Sequence, residues 1–88
     1  MRNFTVYILI SKIKSNWSYV GCTSKISQRM KKHQAGKVKS TKAYRPLELK
    51  HTEDYATSVE ARNRELYLKT GFGREEKKTI LNNLNNTK

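Results

Sequence analysis

The sequence predicts an α+β domain built on a three-stranded, largely antiparallel sheet that is flanked by helices. Residues 3–11 and 17–23 are rich in β-branched and aromatic types and are separated by a short polar turn, which is typical of an antiparallel hairpin. The first of these runs is apolar on both faces, so we expect it at the centre of the sheet. With 88 residues the chain can form one domain around one modest core. The expected element order is β-β-α-β-α-α.

The first helix is predicted to follow the hairpin. Ser24 is a suitable N-cap, and Gly36 lies where the end of a helix favours a left-handed residue. Ile26, Met30 and His33 recur at i, i+4 and i+7, which places them on one face. This stripe should therefore point at the sheet.

The third strand and second helix are indicated by local patterns. Pro46 permits the start of a strand, and residues 47–52 then alternate between apolar or half-polar and polar side chains. Thr57 and Glu60 have the Thr-x-x-Glu spacing of a capping box. We expect the second helix to run from this box to about Thr70.

A glycine break is predicted before the last helix. Gly71 should stop the second helix and Gly73 should extend the break, after which residues 74–84 form a helix with Ile80, Leu81 and Leu84 on one side. We treat residues 1–88 as a single domain with an ordered core at about 3–81. The asparagine-rich tail at 82–88 is expected to fray.

The charge of the chain points to a polyanionic partner. The formal net charge is +12, and residues 10–50 carry eleven basic residues against one acidic residue, whereas residues 51–88 carry a net charge of +1. Nucleic acid and anionic membranes both bind such surfaces, but no helix here combines a basic face with a bulky apolar face. We therefore expect nucleic acid, contacted by Lys25, Lys32, Lys37, Lys39, Lys42 and Arg45. A loop that is merely solvated remains the alternative for residues 37–45.

Other classes of protein are disfavoured by composition. Cys22 is the single cysteine, so an internal disulfide is excluded, and no Cys/His cluster has zinc spacing. The longest apolar run covers residues 6–10, too few to span a bilayer, and the N-terminus lacks the pattern of a signal peptide. We expect a cytoplasmic protein without membrane association, and no protein partner is evident.

Arg29 and His33 are the strongest candidate site residues on spacing alone. They lie one helical turn apart, beside the stripe that contains Ile26 and Met30. An arginine directed partly inward needs an anionic partner, from the protein or from a ligand. His33 has the alternative of a core histidine whose hydrogen bonds are satisfied.

Four further candidates are ordinary residues when each is considered alone. Tyr7 and Tyr19 suit strands, and Gly21 marks either a bulge or a close approach to the backbone. Glu65 lies mid-helix, where an i,i+4 pair with Lys69 would account for it.

Taken together, these segments resemble the GIY-YIG nucleases. Val6-Tyr7-Ile8 and Tyr19-Val20-Gly21, with residues 8–18 between the two tyrosines, resemble the paired motif of that family. Residues 25–33 resemble its first helix, with the arginine at Arg29, and His33 and Gly36 match a His-x-x-Gly that often follows. Residues 39–46 resemble its basic loop, and residues 60–71 its glutamate-bearing helix. The resemblance covers about residues 4–81 and is to the small stand-alone members, which are more distantly related to the excinuclease nuclease domain.

The resemblance implies a metal-dependent endonuclease that hydrolyses phosphodiester bonds in DNA, in repair or processing. It implies Mg²⁺ or Mn²⁺ held by Glu65, Arg29 paired with the scissile phosphate, and Tyr7 and Tyr19 positioning the attacking water. Thr5 replaces a glycine of the first motif and Val20 an isoleucine of the second. Cys22 stands where some relatives have a lysine, so the general base stays open between a tyrosine and His33. The alternatives are a catalytically silent nucleic-acid-binding module and a structural RNA-binding protein.

Overall fold

The computed structural model of the protein describes residues 3–86, with side chains as far as residue 83. The predicted α+β class and the element order are confirmed, and the strands and helices are β1 (Phe4–Ser11), β2 (Ser18–Thr23), α1 (Ile26–Gln34), β3 (Leu47–Tyr55), α2 (Ser58–Leu68) and α3 (Gly71–Asn86). A short 3₁₀ turn at Lys42–Tyr44 lies in the loop before β3.

The sheet has the order β2-β1-β3, and β1 pairs antiparallel with both neighbours. The central position of β1 agrees with its apolar character on both faces. In this register Tyr7 lies opposite Gly21 of β2, and a β-bulge interrupts the pairing with β3 between Ile8 and Leu9. The sheet therefore brings the two sequence motifs side by side.

Alternation along β1 divides the core between the two faces of the sheet. Val6 and Ile8 pack with residues of β2 and α2 on one face, where Ile80 and Leu81 of α3 add to the cluster. Tyr7 and Leu9 belong to a cluster on the other face, which Ile26 and Met30 of α1 help to cover. The predicted inward face of α1 is confirmed, and Tyr7 points towards that helix.

The predicted N-cap of α1 is wrong. The N-cap position belongs to Lys25, which makes no capping hydrogen bond with its side chain, and the helix begins at Ile26. The backbone N–H of Lys25 instead donates to Oγ1 of Thr23 at 3.1 Å. This local turn carries the chain past Ser24 before the helix starts. Gly36 ends α1 as expected, with a φ of 77°.

The predicted glycine break is also wrong, because α3 begins at Gly71 and includes Gly73. A Cβ at Gly73 would lie 1.7 Å from the carbonyl oxygen of Tyr67, so this glycine permits the first turn of α3 to pack on the end of α2. The connection is limited to Lys69 and Thr70, which follow the end of α2. The capping box at Thr57 is confirmed, since its side chain accepts a hydrogen bond from the backbone N–H of Glu60.

α3 is the longest helix, with 16 residues ending at Asn86. The predicted position of Leu84 on its apolar side falls outside the described side chains, and residues 87 and 88 of the expected tail fall outside the described backbone. Between residues 3 and 86, no helix is both long enough and apolar enough to cross a bilayer.

Candidate active site

The Tyr7 side chain lies directly against the backbone of Gly21. Tyr7 is fully buried, and a Cβ at Gly21 would lie 2.4 Å from the Tyr7 hydroxyl oxygen. The close approach that a strand glycine can indicate is therefore made by the ring of Tyr7. The glycine of the second motif allows the tyrosine of the first motif to reach α1.

A chain of hydrogen bonds runs from the loop before β3 to Arg29. Thr41 Oγ1 donates to the carbonyl of Val38 at 3.4 Å, and His33 Nδ1 lies 2.9 Å from Thr41 Oγ1. His33 Nε2 lies 2.9 Å from the Tyr7 hydroxyl, which accepts from Nε of Arg29 at 3.3 Å. His33 and Thr41 are both fully buried.

The partners of His33 assign its tautomer. Because Thr41 gives its proton to Val38, its oxygen accepts from Nδ1–H of His33. Nε2 is then the acceptor for the Tyr7 O–H. Burial lowers the pKa of His33, and the charge of Arg29 lowers it further, so the imidazole is neutral at pH 7.

Arg29 stays charged and Tyr7 stays protonated in this arrangement. Burial raises the pKa of Tyr7, although the hydrogen bond from Arg29 opposes the shift. The same hydrogen bond raises the pKa of Arg29. The site thus combines a fixed cation with a neutral, buried proton acceptor.

A groove of about 630 Å³ opens beside this chain, and we call it the Glu65 groove. β2, α1 and α2 contribute its lining, which consists of Tyr19, Cys22, Arg29, Ser58, Val59, Arg62, Asn63 and Glu65. Tyr19, Arg29 and Glu65 are thereby brought together, as the resemblance implied. Tyr7 and His33 lie behind Arg29 in the buried layer.

Glu65 is held by Arg62 of its own helix and by Lys69, which follows the end of that helix. Its carboxylate lies 3.2 Å from Nζ of Lys69 and 3.8 Å from Nε of Arg62, and its side chain is 13% exposed. The i,i+4 pair expected with Lys69 is present. Lys69 also lies 5.8 Å from the ring centroid of Tyr19, so it belongs to the site, which the spacing argument did not show.

Comparison with known proteins agrees with the geometry. A family model described as the GIY-YIG catalytic domain matches residues 3–79. The chain belongs to the GIY-YIG catalytic domain family. The resemblance drawn from its motifs is thereby confirmed.

This GIY-YIG protein has small relatives of similar length. It is 40% identical over 72 residues to the UPF0213 protein SH2523 of Staphylococcus haemolyticus, covering 81% of this chain and 87% of the relative. It is 35% identical to the UPF0213 protein YazA of Bacillus subtilis, covering 93% and 83%. The solution NMR structure of the UPF0213 protein BH0048 from Bacillus halodurans has 31% identity and a TM-score of 0.54, covering 89% and 84%.

Cys22 lines the groove of this GIY-YIG domain but is unsuited to accept a proton. Burial raises the pKa of its thiol, and the charge of Glu65 raises it further. A thiol with a raised pKa stays protonated at neutral pH. Tyr7, Tyr19 and His33 therefore remain the candidates for a proton acceptor.

The basic residues that were expected to contact nucleic acid fall into two groups. Five side chains are exposed, namely Lys25, Lys32, Lys37, Lys39 and Lys42. Arg45 instead turns back, and its guanidinium donates to the carbonyl oxygens of Lys42 and Gln34. Gln34 is the last residue of α1, where unpaired carbonyls favour a cation, and Lys42 belongs to the 3₁₀ turn.

The donor set of the Glu65 groove fits Mg²⁺ bound together with a substrate. Among the residues that the structure describes, no three or more His, Cys, Asp or Glu side chains are grouped as metal ligands. Mg²⁺ is commonly held by one or two carboxylates, with phosphate oxygens and water completing its shell. The single carboxylate of Glu65, which lines the groove, meets that requirement. A structural zinc site would need four protein ligands.

Proposed function

We propose that this protein is a divalent-metal-dependent endonuclease that hydrolyses phosphodiester bonds in DNA. One observation carries the proposal: Arg29, Tyr19 and Glu65 line one groove, and Arg29 is hydrogen-bonded to the buried Tyr7–His33 pair behind it. This combination supplies a permanently charged guanidinium, a carboxylate and a neutral proton acceptor within one site. Phosphoryl chemistry needs each of these.

Arg29 is assigned to the scissile phosphate. Its Nε–H donates to the Tyr7 hydroxyl. Arg29 also lines the groove, and its guanidinium has further N–H donors. Such donors bind phosphate oxygens in a bidentate manner and offset the charge that develops in the transition state.

The proton of the attacking water is assigned to the Tyr7–His33 pair. As the Tyr7 oxygen takes a proton from water, its own proton passes 2.9 Å to Nε2 of His33. The imidazolium that forms keeps its Nδ1–H on Thr41. Tyr7 is fully buried in the free protein, so this step requires Arg29 to move from Tyr7 towards the phosphate. Tyr19, which lines the groove, orients the water.

Glu65 would hold Mg²⁺ or Mn²⁺ once Lys69 and Arg62 release its carboxylate. The bound ion would supply positive charge at the leaving 3′ oxygen. Lys69 and Arg62 would then be free to pair with phosphates of the same strand.

The test is a panel of labelled DNA substrates incubated with Mg²⁺, with Mn²⁺ or with a chelator. Single-stranded, duplex, flapped and branched forms are compared, because the form that is cut distinguishes a repair role from other processing. Glu65→Gln should lower cutting by at least about 100-fold. Glu60→Gln is the matched control, since Glu60 is exposed and does not line the Glu65 groove, and glutamine also suits the third position of a capping box.

Three outcomes would overturn the proposal. Equal cutting by the parent and by Glu65→Gln would remove Glu65 from the mechanism. DNA binding without cutting of any substrate would favour a silent binding module. Copurified RNA in a protein that never cuts DNA would favour a structural RNA-binding role.

A further inference from the structure

A second concave surface lies between the β1–β2 turn and α3, and we call it the hairpin–α3 pocket. Its volume is about 670 Å³. Five cations from three separate segments line it: Lys14 of the turn, Lys50 of β3, and Arg74, Lys77 and Lys78 of α3. Within the described part of the chain, no carboxylate is among its lining residues.

The cations of α3 lie on one face of that helix. Arg74, Lys77 and Lys78 have the spacing i, i+3 and i+4, and Leu81 follows at i+7. Like charges at this spacing destabilise a helix by a few tenths of a kcal/mol per pair. An anion bound between α3 and the turn would offset that repulsion.

Lys77 shows how closely the charges are placed. Its side chain is half-buried, and burial lowers its pKa, with further lowering by the charges of Arg74, Lys69 and Lys78. The ion pairs at the rim are loose or exposed: Lys78 lies 3.8 Å from Glu75, and Lys50 lies 3.3 Å from Glu48. Pairs of this kind contribute about 0–1 kcal/mol, so a phosphate can replace them at little cost.

The shape of the surface favours a nucleic-acid backbone over a membrane. The cations converge on a concavity from opposite walls, and Ser15, Asn16 and Ser18 add polar groups between them. A ridge of phosphates fits into such a concavity, whereas amphipathic elements that bind a bilayer present a bulky apolar face.

Lys69 lies between the helices that contribute to the two sites, since it follows α2 and precedes α3. Its ammonium lies 3.2 Å from Glu65, and its charge contributes to lowering the pKa of Lys77. The protein is 35 Å along its longest axis, so it can cover at most about ten base pairs of a duplex that contacts both sites.

We propose that the hairpin–α3 pocket binds backbone phosphates of the DNA whose cleavable bond lies in the Glu65 groove. This inference rests on the proposed function and adds a flanking contact that holds the substrate on the side of α3. It assigns to Lys14 and Arg74 a role in binding and none in the chemical step.

The experiment compares two doubly substituted proteins of equal charge. Lys14→Gln/Arg74→Gln removes one exposed cation from each wall of the pocket, and Lys12→Gln/Lys31→Gln removes two exposed cations that line neither concavity. Binding of a labelled duplex of about 20 base pairs is followed by anisotropy in a chelator, between about 50 and 200 mM salt. Because the chelator prevents cutting, binding is measured separately from catalysis.

The pocket variant should raise the Kd roughly tenfold and lower the slope of log K against log salt by about 1.8, since each lost phosphate contact contributes about 0.9. The control should stay within about twofold of the parent.

Each contrary result overturns the inference. Equal weakening by both variants would show an effect of net charge alone, and unchanged binding by the pocket variant would show that the pocket is not used. A pocket variant that loses binding to vesicles of phosphatidylglycerol and phosphatidylcholine, while retaining DNA binding, would assign the surface to membranes. A parent that binds and cuts DNA while its pocket variant binds equally well would leave the nuclease proposal intact.

Discussion

The Tyr7 hydroxyl lies 2.9 Å from Nε2 of His33, although the two residues come from β1 and α1. Gly21 makes this contact possible, because a Cβ at that position would occupy the space of the Tyr7 ring. Both partners are fully buried. A small chain has thus placed a polar pair inside one of its two hydrophobic clusters, where each member depends on the other.

Tyr7→Phe should reduce both stability and cutting. It leaves the buried Nε2 of His33 without a donor, at a cost of about 1–3 kcal/mol in the free energy of unfolding. Cutting per folded molecule should fall at least about 100-fold. Tyr55→Phe is the matched control, because it removes a hydroxyl that donates to Glu53 at 2.7 Å, outside the Glu65 groove. Similar cutting rates for the two variants would contradict the role of Tyr7.

The free energy of unfolding should decline below about pH 6.5 because of His33. Burial and Arg29 lower the pKa of His33 in the folded protein, so the unfolded chain binds the proton first as the pH falls. The contribution of neutral His33 is therefore complete above about 6.5 and is lost as the pH approaches its lower folded-state pKa. Urea unfolding at about pH 7.5 and pH 5.5 measures the decline. His33→Gln should show a smaller difference between the two, and an equal difference would refute the assignment.

Gly21→Ala should be far more damaging than Gly71→Ala. The new methyl group at position 21 would lie 2.4 Å from the Tyr7 hydroxyl and ring, which forces Tyr7 away from His33 and costs about 1–3 kcal/mol. At position 71 no atom lies within 4 Å of the added Cβ, so alanine should leave stability unchanged or raise it by up to about 1 kcal/mol. Thermal unfolding and the nicking assay together test this. Full activity in Gly21→Ala would show that the Tyr7 position is not critical.

Acid should destabilise the protein through Glu53, a residue of β3 that pairs with Arg64 of α2. Burial alone would raise the pKa of Glu53, but hydrogen bonds from Arg64, His51 and Tyr55 lower it to about 2. Its contribution is therefore present above its ordinary pKa near 4.5 and is lost as the pH falls through about 2.

Arg64→Leu should lower the free energy of unfolding by about 1–3 kcal/mol at neutral pH. It should also make that free energy depend less on pH in the acid range, while cutting per folded molecule stays unchanged. Arg64 donates to Glu53 at 2.8 Å, and the substitution leaves that carboxylate with fewer partners. Arg64→Leu/Glu53→Leu should recover part of the loss, because neither charge is then left alone. A double variant less stable than the single one would contradict this account.

The stripe on α1 was predictable because helical periodicity is a local property. Residues at i, i+3 and i+4 share a face whatever the remainder of the chain does, so the inward direction of His33 followed from Ile26 and Met30. Thr41 carries no such signal. It comes from an irregular loop, and its contact with His33 exists only in the folded chain.

The residue types at Ser24, Gly71 and Gly73 favour a helix boundary on average, but local structure or packing decided the outcome. At Ser24, a hydrogen bond between Thr23 and Lys25 delays the start of the helix. Gly73 lies inside α3, and its lack of a side chain allows the helix to pack closely against the backbone of Tyr67.

The hairpin–α3 pocket is not evident from the sequence, because the net charge of residues 51–88 is only +1. Residues 51–88 are nearly neutral on balance, yet their acids are not evenly placed. Glu53 and Glu76 form ion pairs with Arg64, and Glu65 forms one with Lys69. A local excess of cations on α3 is therefore compatible with a balanced total.

The hydrogen bond between His33 and Thr41 sets a limit on how this domain can be re-engineered. Residues 37–45 form the obvious segment to exchange with a relative in order to alter substrate preference, since four of them are cationic. Thr41 nevertheless accepts a hydrogen bond from the imidazole of His33, and the carbonyl of Val38 accepts one from the Thr41 hydroxyl. A loop graft that keeps these two positions and varies only the exposed lysines would change the surface charge of the loop while preserving the hydrogen bonds of His33.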